Sequence, residues 1–119
     1  MRKILGLVIL HILFNACVSE EKKFTKLSPS STKIYFNNKL KETNIRNYFT
    51  NPYMYLGAGV AAGDFNNDGL EDLFFVGNMV PNKLYINQGN LKFNDISDSS
   101  GVKGDGRWYS GVALIDINN

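Results

Sequence analysis

Nine consecutive residues, Asp64-Phe65-Asn66-Asn67-Asp68-Gly69-Leu70-Glu71-Asp72, place oxygen-bearing groups at alternate positions of a short polar run. A hard cation such as Ca²⁺ takes about six to eight oxygens at roughly 2.3–2.6 Å, and a tightly wound loop can bring alternate side chains to one point. Asp64, Asn66 and Asp68 supply positions 1, 3 and 5, and Gly69 permits the sharp turn at position 6. Leu70 offers its backbone carbonyl at position 7 and an apolar side chain to anchor the loop on the core. Asp72 at position 9 completes the predicted ring.

The first half of this pattern is shared with the EF-hand, which also needs a Glu at position 12 and flanking helices. Position 12 here is Phe75, and both flanks read as strands, so the EF-hand is rejected. A metal-free turn is the alternative reading, opposed by the repulsion among three converging carboxylates. Zinc is disfavoured, since Cys17, Asp64 and Asp72 have no companion His or second Cys. The one histidine, His11, lies in an apolar leader, so acid–base chemistry would rest on carboxylates better explained as ligands. Nucleophilic triads and phosphate loops are missing, and Gly57-Ala58-Gly59 lacks the strand–turn–helix context of a dinucleotide site. These absences point away from an enzyme.

Charge points the same way. The formal net charge is +2 over 119 residues, but Arg2 and Lys3 belong to the leader. From Gly57 onward, Lys83, Lys92, Lys103 and Arg107 face Glu71 and seven Asp. An acidic, Asn-rich second half suits a cation, whereas nucleic acid would want a basic face.

Short strands must position the loop. Gly57 to Gly63 is small and apolar, suited to a buried strand under close packing, and Leu73-Phe74-Phe75-Val76 reads as a second. Pro81-Asn82 marks a turn, Lys83-Leu84-Tyr85-Ile86 alternates as a third strand, and Leu91 to Ile96 returns after Asn87-Gln88-Gly89-Asn90. The result is an antiparallel meander and an all-β fold class. Tyr53, Tyr55, Phe74, Phe75, Tyr85, Phe93, Trp108 and Tyr109 are expected to pack between sheets, with a ligand-facing platform of Trp108 and Tyr109 as the alternative. The pattern then restarts: Gly59 to Asn67 aligns with Gly111 to Asn119 at a spacing of 52 residues, within the range of propellers and arrays. The second copy offers only Asp116 and Asn118 as ligands. Repeat units need neighbours to bury their faces, so the chain is expected to be the front piece of a longer protein.

Upstream, Met1-Arg2-Lys3 precedes an apolar run from Ile4 to Phe14. As a helix that run would rise only ~16 Å, too short for a bilayer core of roughly 30 Å, and it reads as a secretory signal. Cys17, the single cysteine, follows Ala16 in a position that resembles a bacterial lipobox, although Phe14 and Asn15 depart from the usual residues. Lipidation is the expected fate; a plain cleaved signal and an uncleaved anchor are the alternatives. Val18-Ser19-Glu20-Glu21 resembles the acidic export tag of Bacteroidetes surface lipoproteins, or is an ordinary solvated charge pair. Residues 18 to about 32 are polar without apolar period and predict a flexible tether, followed by a β-like run at Lys33-Ile34-Tyr35-Phe36.

The stretch from Gly59 to Leu73, with Leu84-Tyr85-Ile86-Asn87-Gln88-Gly89, Phe93-Asn94-Asp95-Ile96 and Trp108-Tyr109-Ser110-Gly111-Val112, resembles the FG-GAP/VCBS repeat family, the β-propeller units of integrin α-chains. The likeness is sharpest to bacterial cartilage-acidic-protein-like (ASPIC/UnbV-associated) proteins. It implies a four-stranded blade with Ca²⁺ in the turn between its first two strands, and a binding or adhesion role toward a protein or glycan. The expected organisation is a signal and lipobox over 1–17, tether and lead-in over 18–52, a first repeat over 53–104 and the start of a second over 105–119. Such a chain would be exported and lipid-anchored at the outer membrane or cell surface; a periplasmic or secreted form is the alternative. Similar repeats also occur in some polysaccharide-processing enzymes, a reading that would need a catalytic constellation elsewhere.

Overall fold

The computed structural model describes residues 23–115 and 117. The leader, Cys17 and the Glu20-Glu21 pair lie outside them, as do Asp116 and Asn118. Four strands form one antiparallel sheet in sequential order: β1 (Val60–Gly63), β2 (Asp72–Phe75), β3 (Lys83–Asn87) and β4 (Phe93–Asp95). The meander expected from the turn residues is therefore present, each strand within a few residues of its predicted place.

Register follows from which side chains must share a face. Val60 opposes Phe75, Ala62 opposes Leu73, Leu73 opposes Tyr85 and Asn87 opposes Phe93. One face thus carries Val60, Ala62, Leu73, Phe75, Tyr85 and Phe93, and the other carries Ala61, Gly63, Asp72, Phe74, Leu84 and Ile86. Ladder bonds run on past the strands, from the Val76 amide to the Gly59 carbonyl at 3.0 Å and from the Ile96 amide to the Leu84 carbonyl at 3.0 Å.

Each face meets a different part of the chain. On the first, the Phe36 ring stacks on Phe75 with centroids 5.0 Å apart, and Phe75 meets Tyr85 edge-on at 5.8 Å. On the second lies the segment from Gly111 to Leu114. A Cβ added at Gly59 would stand 2.7 Å from the Val112 nitrogen, and one at Gly63 would collide with the Leu114 side chain. Glycine is required at 59, where the neighbour is backbone, whereas at 63 the end of the Leu114 side chain would have to move. The run expected to be a buried strand is otherwise largely open, with Val60 exposed and only Gly63 buried.

Several expectations change. Lys33–Phe36 is not a strand: it joins no ladder, and the Tyr35 amide donates instead to the Tyr85 hydroxyl at 3.3 Å. The end of the predicted tether is ordered as one helical turn, α1 (Pro29–Thr32), with Ser28 as its N-cap accepting from the Ser31 amide at 3.1 Å and Thr32 buried. A capping Ser followed by Pro at the first helical position outweighs the missing apolar period. The aromatic set does not pack between sheets as a group. Tyr85 and Phe93 are buried, but Tyr53 and Tyr55 lie in a 3₁₀ turn (Pro52–Tyr55) and are exposed. Among the described residues no helix is long and apolar enough to cross a membrane.

Candidate metal centre

The loop from Asp64 to Glu71 joins β1 to β2. Asn67 and Gly69 both take positive φ, 58° and 83°, and this double reversal folds the chain back within a few residues. Glycine at 69 adopts that conformation without steric cost.

The three predicted side-chain ligands Asp64, Asn66 and Asp68 share this turn, together with Leu70. The Asp64 carboxylate accepts from the Gly69 amide at 2.8 Å and from the Asp68 amide at 3.1 Å. The Gly69 amide is the main reason the Asp64 carboxyl titrates below the usual carboxylate range, since each N–H favours the ionised form. Asn66 donates from its side-chain amide to Asp68 at 2.8 Å, while its carbonyl oxygen accepts from the Asp68 backbone at 3.2 Å. Asp68 in turn accepts from the Leu70 amide at 2.9 Å.

Asp72 is placed differently. It is fully buried at the first position of β2, with one oxygen accepting from the Phe65 amide at 2.9 Å and the other from the Asn87 amide at 2.8 Å. It ties the loop to β3. The carboxylate repulsion argued from sequence is thereby relieved without convergence: Asp72 stands apart on its own donors, and Asp64 is surrounded by backbone dipoles. Leu70 also departs from expectation, because its side chain is partly exposed rather than buried in the core.

The donor set is of the right kind for a hard cation, being oxygen throughout, with one carboxylate held ionised in a preformed turn. It is not gathered as a complete cage. Among the described residues no group of three or more His, Cys, Asp or Glu comes together to hold a metal. Asp64, Asn66 and Asp68 share one exposed turn and would be the residues to hold a cation, with Asp72 buried behind them as a brace. Asp116 and Asn118 of the second copy lie outside the described residues.

Sequence reasoning passed over Asn87. Its backbone N–H serves Asp72, its side-chain amide donates to the Glu71 carbonyl at 3.0 Å, and its carbonyl oxygen caps the Gly89 amide at 2.9 Å. The signal was an Asn at the close of an apolar strand, which reads equally as a turn residue.

Comparison with known proteins agrees with this geometry. The FG-GAP-like repeat matches residues 64–119, from the first predicted ligand onward. Cartilage acidic protein 1 of Xenopus tropicalis is 39% identical over 62 residues, covering 52% of this chain and 10% of that protein. The chain thus spans about a tenth of that relative's length. No solved structure matches. A four-stranded antiparallel meander whose first two strands are joined by this loop is consistent with one propeller blade, and these findings together support an FG-GAP repeat protein, with the repeat's sequence over residues 64–119.

Proposed function

We propose that this chain is a non-catalytic, calcium-binding β-propeller repeat of an exported lipoprotein, anchored at the cell surface through Cys17 and engaging a protein or glycan partner. The observation that carries the calcium reading is Asp64: a carboxylate kept ionised by the Gly69 amide, in a turn that also presents the oxygens of Asn66 and Asp68. A bound cation would supply positive charge to a turn now closed only by neutral N–H groups. Exposure of the three side chains leaves the site open to solvent ions. The absence of histidine from the chain beyond the leader supports a binding rather than a catalytic role.

The test is a melting curve of the exported protein with Ca²⁺ and with chelator. A ligand that binds only the folded state at 100 times its Kd adds about 2.7 kcal/mol. For a domain of this size that is a rise in Tm on the order of ten degrees. Asp64→Ala is expected to abolish the rise, and an equal response in wild type and variant would sink the proposal. Anchoring is tested separately: Cys17→Ala should move the exported protein from the membrane fraction to the soluble one.

A further inference from the structure

The lead-in from Ile34 to Asn38 makes contacts that a tether would not. Its Phe36 ring occupies the first face of the sheet against Phe75, and its Tyr35 amide is capped by the Tyr85 hydroxyl beneath. At its end, Asn38 and Asn78 form a reciprocal pair. The Asn38 side chain donates to the Asn78 side-chain oxygen at 2.5 Å, and the Asn78 backbone N–H donates back to the Asn38 oxygen at 3.0 Å. Asn78 sits in the turn between β2 and β3 and is almost fully buried.

The same residue reaches the other way. Its side-chain NH₂ donates to the Tyr109 carbonyl at 2.8 Å, and the Tyr109 amide donates to the neighbouring Gly77 carbonyl at 3.2 Å. Tyr109 stands just ahead of the second-repeat segment that presses on Gly59 and Gly63. One buried amide therefore bonds the segment before the first repeat and the segment after it. A sheet with two apolar faces needs a layer on each, and in stacked repeats a terminal unit needs a cap on its outer side. Here the first face is layered by the lead-in.

We infer that Ile34–Asn38 is a built-in cap of the first sheet, and that Asn78 couples this cap to the start of the second repeat. Loosening the lead-in then loosens the seat of the second repeat, and the ordered domain begins at about Thr32 rather than at the first strand. The coupling is independent of the calcium loop, since the turn holding Asn78 joins β2 to β3 whereas the metal loop joins β1 to β2.

Amide hydrogen exchange on the intact chain tests it. In the wild type the Tyr35 and Asn78 amides are expected to exchange as slowly as those of β3; exchange of Tyr35 at the rate of the exposed Lys26 amide would overturn the cap. Tyr85→Phe removes only the hydroxyl acceptor, and should speed Tyr35 exchange about tenfold while leaving β3 protected. Asn38→Ala should deprotect Asn78 and, through it, Tyr109 by a similar factor of roughly ten. Deprotection of Asn78 with Tyr109 unchanged would overturn the coupling. If Asn38→Ala does not fold, Asn38→Ser supplies the same readout with a shorter polar side chain.

Discussion

Two turns of one sheet close by opposite means. The Asp64–Glu71 loop is exposed, rich in carboxylates, and closed by bonds among residues of the loop and its flanks. The Gly77–Asn82 turn is neutral, holds two buried amides, and is closed by bonds to distant segments. Asn78 reaches residues 38 and 109; the Asn82 backbone N–H donates to the Lys103 carbonyl at 3.0 Å and its side-chain NH₂ to the Val102 carbonyl at 3.3 Å, beside one bond within the turn, from the Gly77 amide to the Asn82 side-chain oxygen at 3.0 Å. Burying a carboxylate is costly unless backbone donors serve it, whereas a buried amide needs only partners. The chain therefore keeps its charges where solvent and cations can reach them and uses asparagine to join segments. Asp72 is the exception that links the two regimes, a buried carboxylate holding an exposed loop.

The comparison breaks most visibly at Asn78. Asn78→Ala removes two side-chain hydrogen bonds and leaves the Asn38 side-chain NH₂ and the Tyr109 carbonyl without their partners, while the Asn78 backbone N–H can still donate to the Asn38 oxygen. Unsatisfied buried groups cost about 1–3 kcal/mol each, so an overall loss of roughly 3 kcal/mol is expected in denaturant unfolding, with any calcium response of the loop retained. A loss no larger than that of an exposed Asn, such as Asn44→Ala, would contradict the assignment of these two turns to different tasks.

Asp72→Asn comes next. The isosteric amide keeps one oxygen acceptor but presents NH₂ toward one of the two backbone donors, Phe65 or Asn87. Replacing a charge-assisted bond by a donor–donor clash is expected to cost about 2 kcal/mol. Unlike Asn78→Ala, this change should also weaken any calcium response, because the loop loses its brace on β3. Equal calcium responses in Asp72→Asn and wild type would show that the brace and the exposed turn are independent.

How much of this was legible beforehand follows the same division. Local pattern carried the meander: alternation in Lys83–Ile86, aromatic β-formers in Leu73–Phe75, and Gly/Asn/Asp punctuation between them. The spacing of Asp64, Asn66 and Asp68 located the loop, because its bonds span few residues and its chemistry is written in adjacent side chains. Asp72 was assigned to the same ring, but its burial depends on Asn87 arriving from β3, which no local spacing reveals. Asn78 was invisible for a stronger reason. Its partners lie 40 and 31 residues away, and an Asn beside Gly77 reads as turn chemistry until the third dimension supplies them. Lys33–Phe36 carries β-forming residues, yet its amide found a tyrosine hydroxyl rather than a strand.

The smallest expected effect is in acid, and it separates the loop from the far edge of the sheet. Asp64 and Asp95 both titrate below their ordinary 3.8. For Asp64 the Gly69 amide leads; for Asp95 partial burial pushes upward, and is outweighed by the Lys83 and Ser97 hydrogen bonds together, including a Lys83 contact at 2.7 Å. A carboxyl depressed in the folded state contributes stability that is present above its unfolded value and lost as pH falls through its folded one. Metal-free protein should therefore lose stability progressively as pH drops below about 4. Asp64→Asn and Lys83→Met should each flatten that decline in part, at different ends of the sheet. Because a partly exposed ion pair contributes only ~0–1 kcal/mol, Lys83→Met should shift the neutral-pH midpoint little, and at neutral pH it should leave any calcium response untouched. Loss of that response in Lys83→Met would mean that the β3–β4 edge and the β1–β2 loop are not separate devices.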